Sequence, residues 1–415
     1  MAEYLGLRGN TIKYGMDNRR DKSVQQDALA ATGVRAVRGV ARTVWEGDME
    51  AFIDSETFPV VLKPVESAGS EGVKLCNSKQ EAADHFHLLM NSQRAIGGEG
   101  AAVIAQEFLR GSEYVCDHVS KDGVHKTMMV WKYDKRLANG SQFVYFGMDP
   151  VDPTSRIGQA VIQYTRHAID AIKIKNGATH SEVMFTKDGP CLVEVNCRCH
   201  GGNGTWMPLA SMLTGGYNMV TASIDAYLDP KAWDKIPPIP KYPFQGSGKN
   251  VMFVSYCEGT VSGTPGYDII KALPSFSSCN ADIKPGDTIT KTVDLFGCTG
   301  QAILAHTDPE VVAADLKVIR NLESSNKMFT LEGGAEDRFT KVLEPEVRQS
   351  VRASTMKEGA RSSMADRMAG QKEAAILLAE EIRHAEEVAE LHKKYQLAGG
   401  ICGVAALLGM FMLKK

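Results

Sequence analysis

Apolar and polar positions change period several times along the chain. Over the first 190 residues helical spacing alternates with short strand-like runs, which predicts an α/β or α+β architecture. Ser23-Val24-Gln25-Gln26 reads as a capping box opening a helix that Gly33 ends, and Ser78-Lys79-Gln80-Glu81 opens another. Between them Phe58 to Lys63 reads as a strand, followed by a loop from Pro64 to Gly72. Val103 to Leu109 reads as a buried strand. Glu113 to Val119 and Val124 to Tyr133 read as two strands turned by Lys121-Asp122-Gly123. A helix is expected from Pro153 to Lys173, then a second hairpin of His180 to Thr186 and Cys191 to Asn196, turned at Lys187-Asp188-Gly189.

Pro237-Pro238-Ile239-Pro240 marks a boundary. After it, Lys249 to Leu331 is rich in short β patterns, Gly and Pro, and reads as a small β-containing domain. From Gly333 the chain is charged and weakly apolar, then strongly helical between Lys372 and Gln396. Ile376, Leu377, Ile382, Val388 and Leu391 there lie at helical spacing, as in a solvated or pairing helix. Leu397 to Leu413 is an uncharged run between lysine pairs, at the lower limit for spanning a bilayer. Its small-residue pairs, Gly399 with Gly403 and Ala405 with Gly409, suit close helix approach. A tail anchor is the expectation, with a buried helix or an apolar docking peptide as the alternative.

Composition narrows the picture. Hydrophobic content of 43% and charged content of 23% are those of an ordinary globular protein, and a net charge of -3 carries no polyanion-binding signature. Nucleic acid is therefore not an expected partner. Nine cysteines, an odd count, and no secretory signal point to a reducing compartment. The expected location is a cytosolic catalytic part tail-anchored to an intracellular membrane, or else a soluble cytoplasmic protein.

Three stretches carry chemistry. Lys63 ends an apolar strand and is followed by Pro-Val-Glu-Ser-Ala-Gly-Ser-Glu-Gly, whose backbone N–H groups and hydroxyls suit phosphate oxygens. A plain surface turn is the alternative, since no Walker loop or GxGxxG fingerprint is present. Gln106-Glu107-Phe108-Leu109, with Glu113 just beyond, offers a strand end for an adenine edge and an acceptor for ribose hydroxyls, but on these residues alone a strand, a turn and another strand with routine surface carboxylates is the favoured alternative. Glu182 and Glu194 lie on the two strands of the second hairpin, with Asn196 on the same face as Glu194. Two carboxylates and an amide oxygen suit Mg²⁺, whose charge would relieve the repulsion between the acids, with a solvated strand face carrying scattered charges as the alternative. Arg198 follows on that face and could hold a transferred phosphate. Cys191, Cys197, Cys199 and His200 lack the paired spacing of a zinc site, and Cys197 has no identifiable base for a nucleophilic role.

In order, Arg20-Asp21-Lys22, Phe58 to Gly72, Gln106 to Glu113, Ser181-Glu182-Val183 and Glu194 to Arg198 resemble the ATP-grasp superfamily, over Lys13 to Gly216. Within it, Thr179 to Val183 and Asn196 to Gly202 are similar to the carboxylate–amine ligases that include L-amino-acid ligases and carnosine-synthase-like enzymes. The resemblance implies two α+β subdomains gripping ATP, a small C-terminal β domain and a helical tail. The expected boundaries are 1–57, 58–110 with the phosphate loop, 111–236 with the metal site, 241–332, a linker 333–396 and a tail helix 397–413. The group carries an N-terminal α/β domain ahead of Arg20-Asp21-Lys22, so 1–57 is expected to include a remnant of it.

The resemblance further implies that Lys22 and Lys63 contact ATP phosphates under a loop of Ser67, Gly69, Ser70 and Gly72. Gln106, Glu107, Phe108 and Leu109 would hold adenine and Glu113 the ribose. Glu182, Glu194 and Asn196 would hold two Mg²⁺ ions, or Mn²⁺ in their place. Arg198 and Lys63 would stabilise the phosphoryl group in transfer, and His200, Gly201 and Gly202 would border the acceptor substrate. The implied reaction activates a carboxylate as an acyl phosphate and joins it to an amine, with amino acids as partners and a homodimer left open. The alternative is a catalytically silent ATP-binding module held at a membrane by its tail.

Overall fold

The computed structural model describes residues 5–10, 19, 21–65, 72–92, 102–281 and 283–333. Its first part comprises helix α1 (Lys22–Ala31), strand β1 (Gly39–Arg42), α2 (Asp48–Ser55), β2 (Val60–Pro64), β3 (Lys74–Cys76), α3 (Lys79–Met90) and β4 (Val103–Glu107). The four strands form one antiparallel sheet in the order β1-β4-β2-β3. Met49, Ile53, Phe86 and Leu89 of α2 and α3 pack on Val60, Leu62, Val103 and Ala105 of the sheet. Val60 and Leu62, two apart on one face of β2, and the helically spaced residues of α2 and α3 thus meet in one core.

A larger sheet follows. Strands β5 (Gly111–Lys121), β6 (Val124–Ala138) and β7 (Ser141–Pro150) form a meander. Helix α4 (Arg156–Ala171) then leads to the hairpin of β8 (Gly177–Thr186) and β9 (Gly189–Asn196). After α5 (Met207–Thr214), α6 (Met219–Leu228) and α7 (Pro230–Lys235) come β10 (Ser247–Met252), β11 (Gly259–Gly263), α8 (Pro265–Lys271), β12 (Phe276–Asn280), β13 (Thr288–Ile289), β14 (Gln301–His306), α9 (Pro309–Ser324) and β15 (Thr330–Leu331). Eight strands pair in the order β12-β14-β10-β7-β6-β5-β8-β9, while β11, β13 and β15 make a small separate sheet.

The β-rich region after Pro240 therefore keeps its own core, around Val251, Phe253, Ile270 and Leu322, but three of its strands extend the sheet of 111–236. The expected small domain at 241–332 is corrected to that extent. Strand β7 supplies the edge on which β10 pairs, and its sequence, Ser141 to Pro150, gives no clean alternation from which to expect it.

Strand β9 ends the large sheet, and its outer edge is closed by side chains. Gln25 donates Nε2 to the Val195 carbonyl and accepts from the Val195 N–H, both at 2.8 Å. Gln26 donates to the Leu192 carbonyl and accepts from the Val37 N–H. The Tyr164 hydroxyl of α4 accepts from the Leu192 N–H. An unpaired edge exposes backbone donors and acceptors; here two glutamines replace the missing strand. This corrects the capping box expected at Ser23 to Gln26. The N-cap is Asp21, whose carboxylate accepts from the Ser23 and Val24 N–H groups, because Gln26 is buried against β9. Ser78 caps α3 as expected, accepting from the Glu81 N–H.

Among the described residues no helix is long and apolar enough to cross a membrane. Leu397 to Leu413 and the linker beyond Gly333, with its helix, lie outside the described residues, as do Ser67, Gly69 and Ser70.

Candidate active site

Two cavities meet at the β8–β9 hairpin. The first, about 160 Å³, lies between the two sheets. Its walls include Lys63 and Gln106 from the small sheet, Lys22 from the start of α1, and Glu113, Lys135, Tyr145, Glu182 and Glu194 from the large one. Phe108 and Leu109 line it from the link between β4 and β5. The second, about 360 Å³, is bordered by Tyr133, His180, Arg198, His200, Gly201, Gly202, Trp206, Asn250 and Gln301, among others. Tyr145, Glu182 and Glu194 belong to both. The two acids thus stand at the junction.

Glu182 and Glu194 are directly paired across the hairpin, and a register shift follows at Val183. The expected repulsion between them is already compensated within the chain, a correction to the sequence argument. Lys22 Nζ lies 2.9 Å from Glu194, and His180 Nε2 lies 3.4 Å from Glu182. Burial acts to raise the Glu182 carboxyl, but the hydrogen bond from His180 and the charges of His180, Lys135 and Lys22 outweigh it, to about 2. Burial, with Lys22 nearby, pushes Lys63 down to about 8 against the attraction of Glu194, Glu182 and Glu113. Burial also opposes the charge on Lys135, yet Glu113 at 2.7 Å holds it firmly protonated.

Other expected residues are placed differently. Asn196 donates Nδ2 to Glu194 at 2.9 Å and accepts from Arg198 at 3.2 Å, so its amide links the acid to the guanidinium. It lines neither cavity. Arg198, on an exposed turn, also donates to the Cys199 carbonyl. The Glu107 carboxylate accepts from the Arg38 N–H and pairs with the Arg38 guanidinium. Its side chain thereby fixes Arg38, while the residue lines the first cavity with Gln106, Phe108 and Leu109. Gln106 is buried and its Nε2 has no hydrogen-bond partner. Glu113 is brought to Lys135, which the sequence reading missed because β6 runs five residues beyond the expected strand end. Gly72 sits in the left-handed region at φ +70°, its carbonyl accepting from His85 Nε2, and does not line the cavity.

A second cluster was not expected. Asp117, fully buried on β5, accepts from His180 Nδ1, His200 Nδ1 and Trp131 Nε1, each at 2.9 Å. Burial opposes the Asp117 charge, but both histidines hold its carboxyl below the usual range. Burial likewise opposes the charge on His180, and hydrogen bonds to Asp117 and Glu182 reverse that, raising it to about 9. His200 is shifted the other way, lowered chiefly by burial, with the attraction of Asp117 offsetting only part. A lone Asp inside the apolar run Tyr114 to Val119 was the available signal, since a buried carboxylate needs partners. The ligating atoms of Asp117, His180 and His200 lie within 4.8 Å of one another, which would also admit a metal ion. A divalent nucleotide-bound ion is better matched by Glu182 and Glu194, hard oxygen donors open to both cavities.

Residues 20–203 match the family model of the phosphoribosylglycinamide synthetase ATP-grasp (A) domain. The chain is 27% identical over 314 residues to dapdiamide A synthase of Enterobacter agglomerans, covering 74% of this chain and 71% of that protein. It is 28% identical over 233 residues to alanine–anticapsin ligase of Bacillus subtilis (strain 168), covering 49% of this chain and 46%, about half, of the ligase. The fold is similar to the crystal structure of an L-amino acid ligase from Bacillus licheniformis (TM-score 0.62, 18% identity, 80% of this chain and 77% of that one). It is also similar to a phosphoribosylglycinamide synthetase from Anaerococcus prevotii (TM-score 0.54, 17% identity, 80% and 78%).

Proposed function

This chain carries an ATP-grasp domain, and from that premise we propose that it is an ATP-dependent carboxylate–amine ligase acting on amino acids or similar small molecules. The observation that carries the reading is the sharing of Glu182 and Glu194 by the two cavities. A nucleotide in the first would present its terminal phosphate to a substrate in the second. The similarity to dapdiamide A synthase and alanine–anticapsin ligase supports the same class.

In this reading Lys22 and Lys63 neutralise phosphate oxygens, and the 108–109 link lies along the adenine edge. The first cavity carries three lysines (Lys22, Lys63, Lys135) against three acids (Glu113, Glu182, Glu194), the fourth acid of its lining, Glu107, being neutralised by Arg38. Its own charges balance, which suits a nucleotide arriving with enough magnesium to cancel its charge. Glu182 and Glu194 would hold Mg²⁺, with Asn196 reaching it only by releasing Glu194 and Arg198. The metal would supply electrostatic relief of charge on the phosphates. The substrate carboxylate attacks the terminal phosphate, Arg198 stabilises the transferring group, and the amine then displaces phosphate from the acyl phosphate. Positioning and charge stabilisation are the main contributions.

The test is phosphate release from Mg·ATP by the full chain against pairs of amino acids, with product masses recorded. Pair-dependent release with a matching amide is the expected result. Nucleotide binding without release for any pair would sink the ligase reading and leave the silent ATP-binding module.

A further inference from the structure

The second cavity is bordered by an imidazole held in place by its neighbours. His200 lines it beside Arg198 and Gly201. Its Nδ1 lies 2.9 Å from the carboxylate of Asp117, which is 1% exposed. A carboxylate can only accept, so Nδ1 of the neutral ring carries the proton and Nε2 keeps its lone pair. The ring is held on several sides. Its centroid lies 4.2 Å from that of His180 and 5.3 Å from that of Trp206, and Trp131 meets it edge-on at 6.3 Å. Its main-chain N–H donates to the Met219 thioether, and its carbonyl accepts from Trp206 Nε1. The charged and titratable groups facing it are Asp117 from β5, His180 and, beyond it, Glu182 from β8, and Arg198 from its own loop.

We propose that His200 is the general base that deprotonates the incoming amine, with Asp117 as its positioning residue; this rests on the ligase reading above. An amino acid enters as an ammonium ion, which has no lone pair to attack with. His200 Nε2 takes one proton. The freed nitrogen pair forms the C–N bond at the acyl-phosphate carbon as the C–O bond to phosphate breaks. The second nitrogen proton leaves with the phosphate, giving hydrogen phosphate, and His200 returns its proton to solvent. The chemistry of the site also fits: burial keeps the His200 ring neutral, ready to accept. Asp117 serves as the orienting third group of a nucleophile–base pair in which the nucleophile is the substrate.

The experiment separates activation from amine attack. Full-length wild type and His200→Gln are incubated with Mg·ATP and a panel of L-amino acids, with either a second amino acid or hydroxylamine as acceptor. Hydroxylamine is largely unprotonated at neutral pH and traps an acyl phosphate as hydroxamate without needing a base. His200→Gln should lose amide formation about 100-fold or more at pH 7 relative to its own hydroxamate formation, the gap closing as pH rises and the amine deprotonates unaided. Asp117→Asn should give the same split with a smaller loss, which a merely structural role would not produce. Equal loss of hydroxamate and amide in His200→Gln, or no loss of amide, overturns the assignment. Absence of hydroxamate from wild type with every acid instead overturns the ligase reading, and the role of His200 with it.

Discussion

At the scale of single residues, charge compensation governs this site. Glu194 meets Lys22 and Glu182 meets His180, so Glu194→Ala takes a carboxylate from Lys22 as well as removing a proposed metal ligand. Mg·ATP turnover should fall at least 100-fold, while far-ultraviolet circular dichroism stays close to wild type. Turnover at the wild-type rate would remove Glu194 from the metal site. Lys63 gives a pH dependence of determined sign. Its folded value of about 8 lies below its ordinary value of 10.5, so the charged form is disfavoured by folding. The resulting penalty is present below pH 8 and relieved as pH rises from 8 towards 10.5. Phosphate contact requires the charged form, so kcat/KM for ATP should fall as pH rises through about 8. In Lys63→Arg that fall should vanish, because a guanidinium stays charged. Lys22, Lys63, Glu113, Glu182 and Glu194 of this cavity stood in the sequence as motifs. Lys135 and Asp117 did not, because what marks them is a partner on another strand.

At the scale of elements, the position of Lys22 depends on the glutamines that follow it. Gln25 makes two hydrogen bonds to Val195 and Gln26 bonds Leu192, so α1 is held to β9 as an extra strand would be. Gln25→Ala leaves the Val195 N–H and C=O unpaired inside the protein. A cost of about 1–3 kcal/mol is expected from chemical denaturation, with a raised KM for ATP because Lys22 loses its mooring. Loss of stability with an unchanged KM would separate the two roles. In the core that α1 shares through Leu29, Ile169 of α4 is fully buried against Val183 and Leu192. Ile169→Ala should cost about 2–5 kcal/mol, as cavities in packed cores do. Periodicity revealed α4 and the hairpin within a few residues. It misread Gln25 and Gln26, because an N-cap motif and a buried amide pair use the same polar letters.

For the whole described molecule, the continuity of the large sheet brings the two cavities together. Strand β10 joins β7 at Gly147 and Met148, where a Cβ on Gly147 would lie 2.0 Å from the Asn250 carbonyl oxygen. Gly147→Val should push β10 off β7 and move Asn250 and Gln301 out of the second cavity. Amide formation should drop at least tenfold, with binding of a fluorescent ATP analogue retained, since Gly147 and β10 do not line the first cavity. Loss of nucleotide binding in the same variant would show the sheet to be one cooperative unit for both. By itself the sequence determined most of the element types and the order of motifs, and marked Lys63, Glu182 and Glu194 as candidates, because local periodicity and residue type are properties of short segments. Only the tertiary structure decided that the strands after Pro240 extend the large sheet, that glutamine side chains close its edge and that Asp117 gathers two histidines beside the second cavity. Those are pairings between segments far apart in the chain, set by which unpaired backbone edge or buried charge finds its partner.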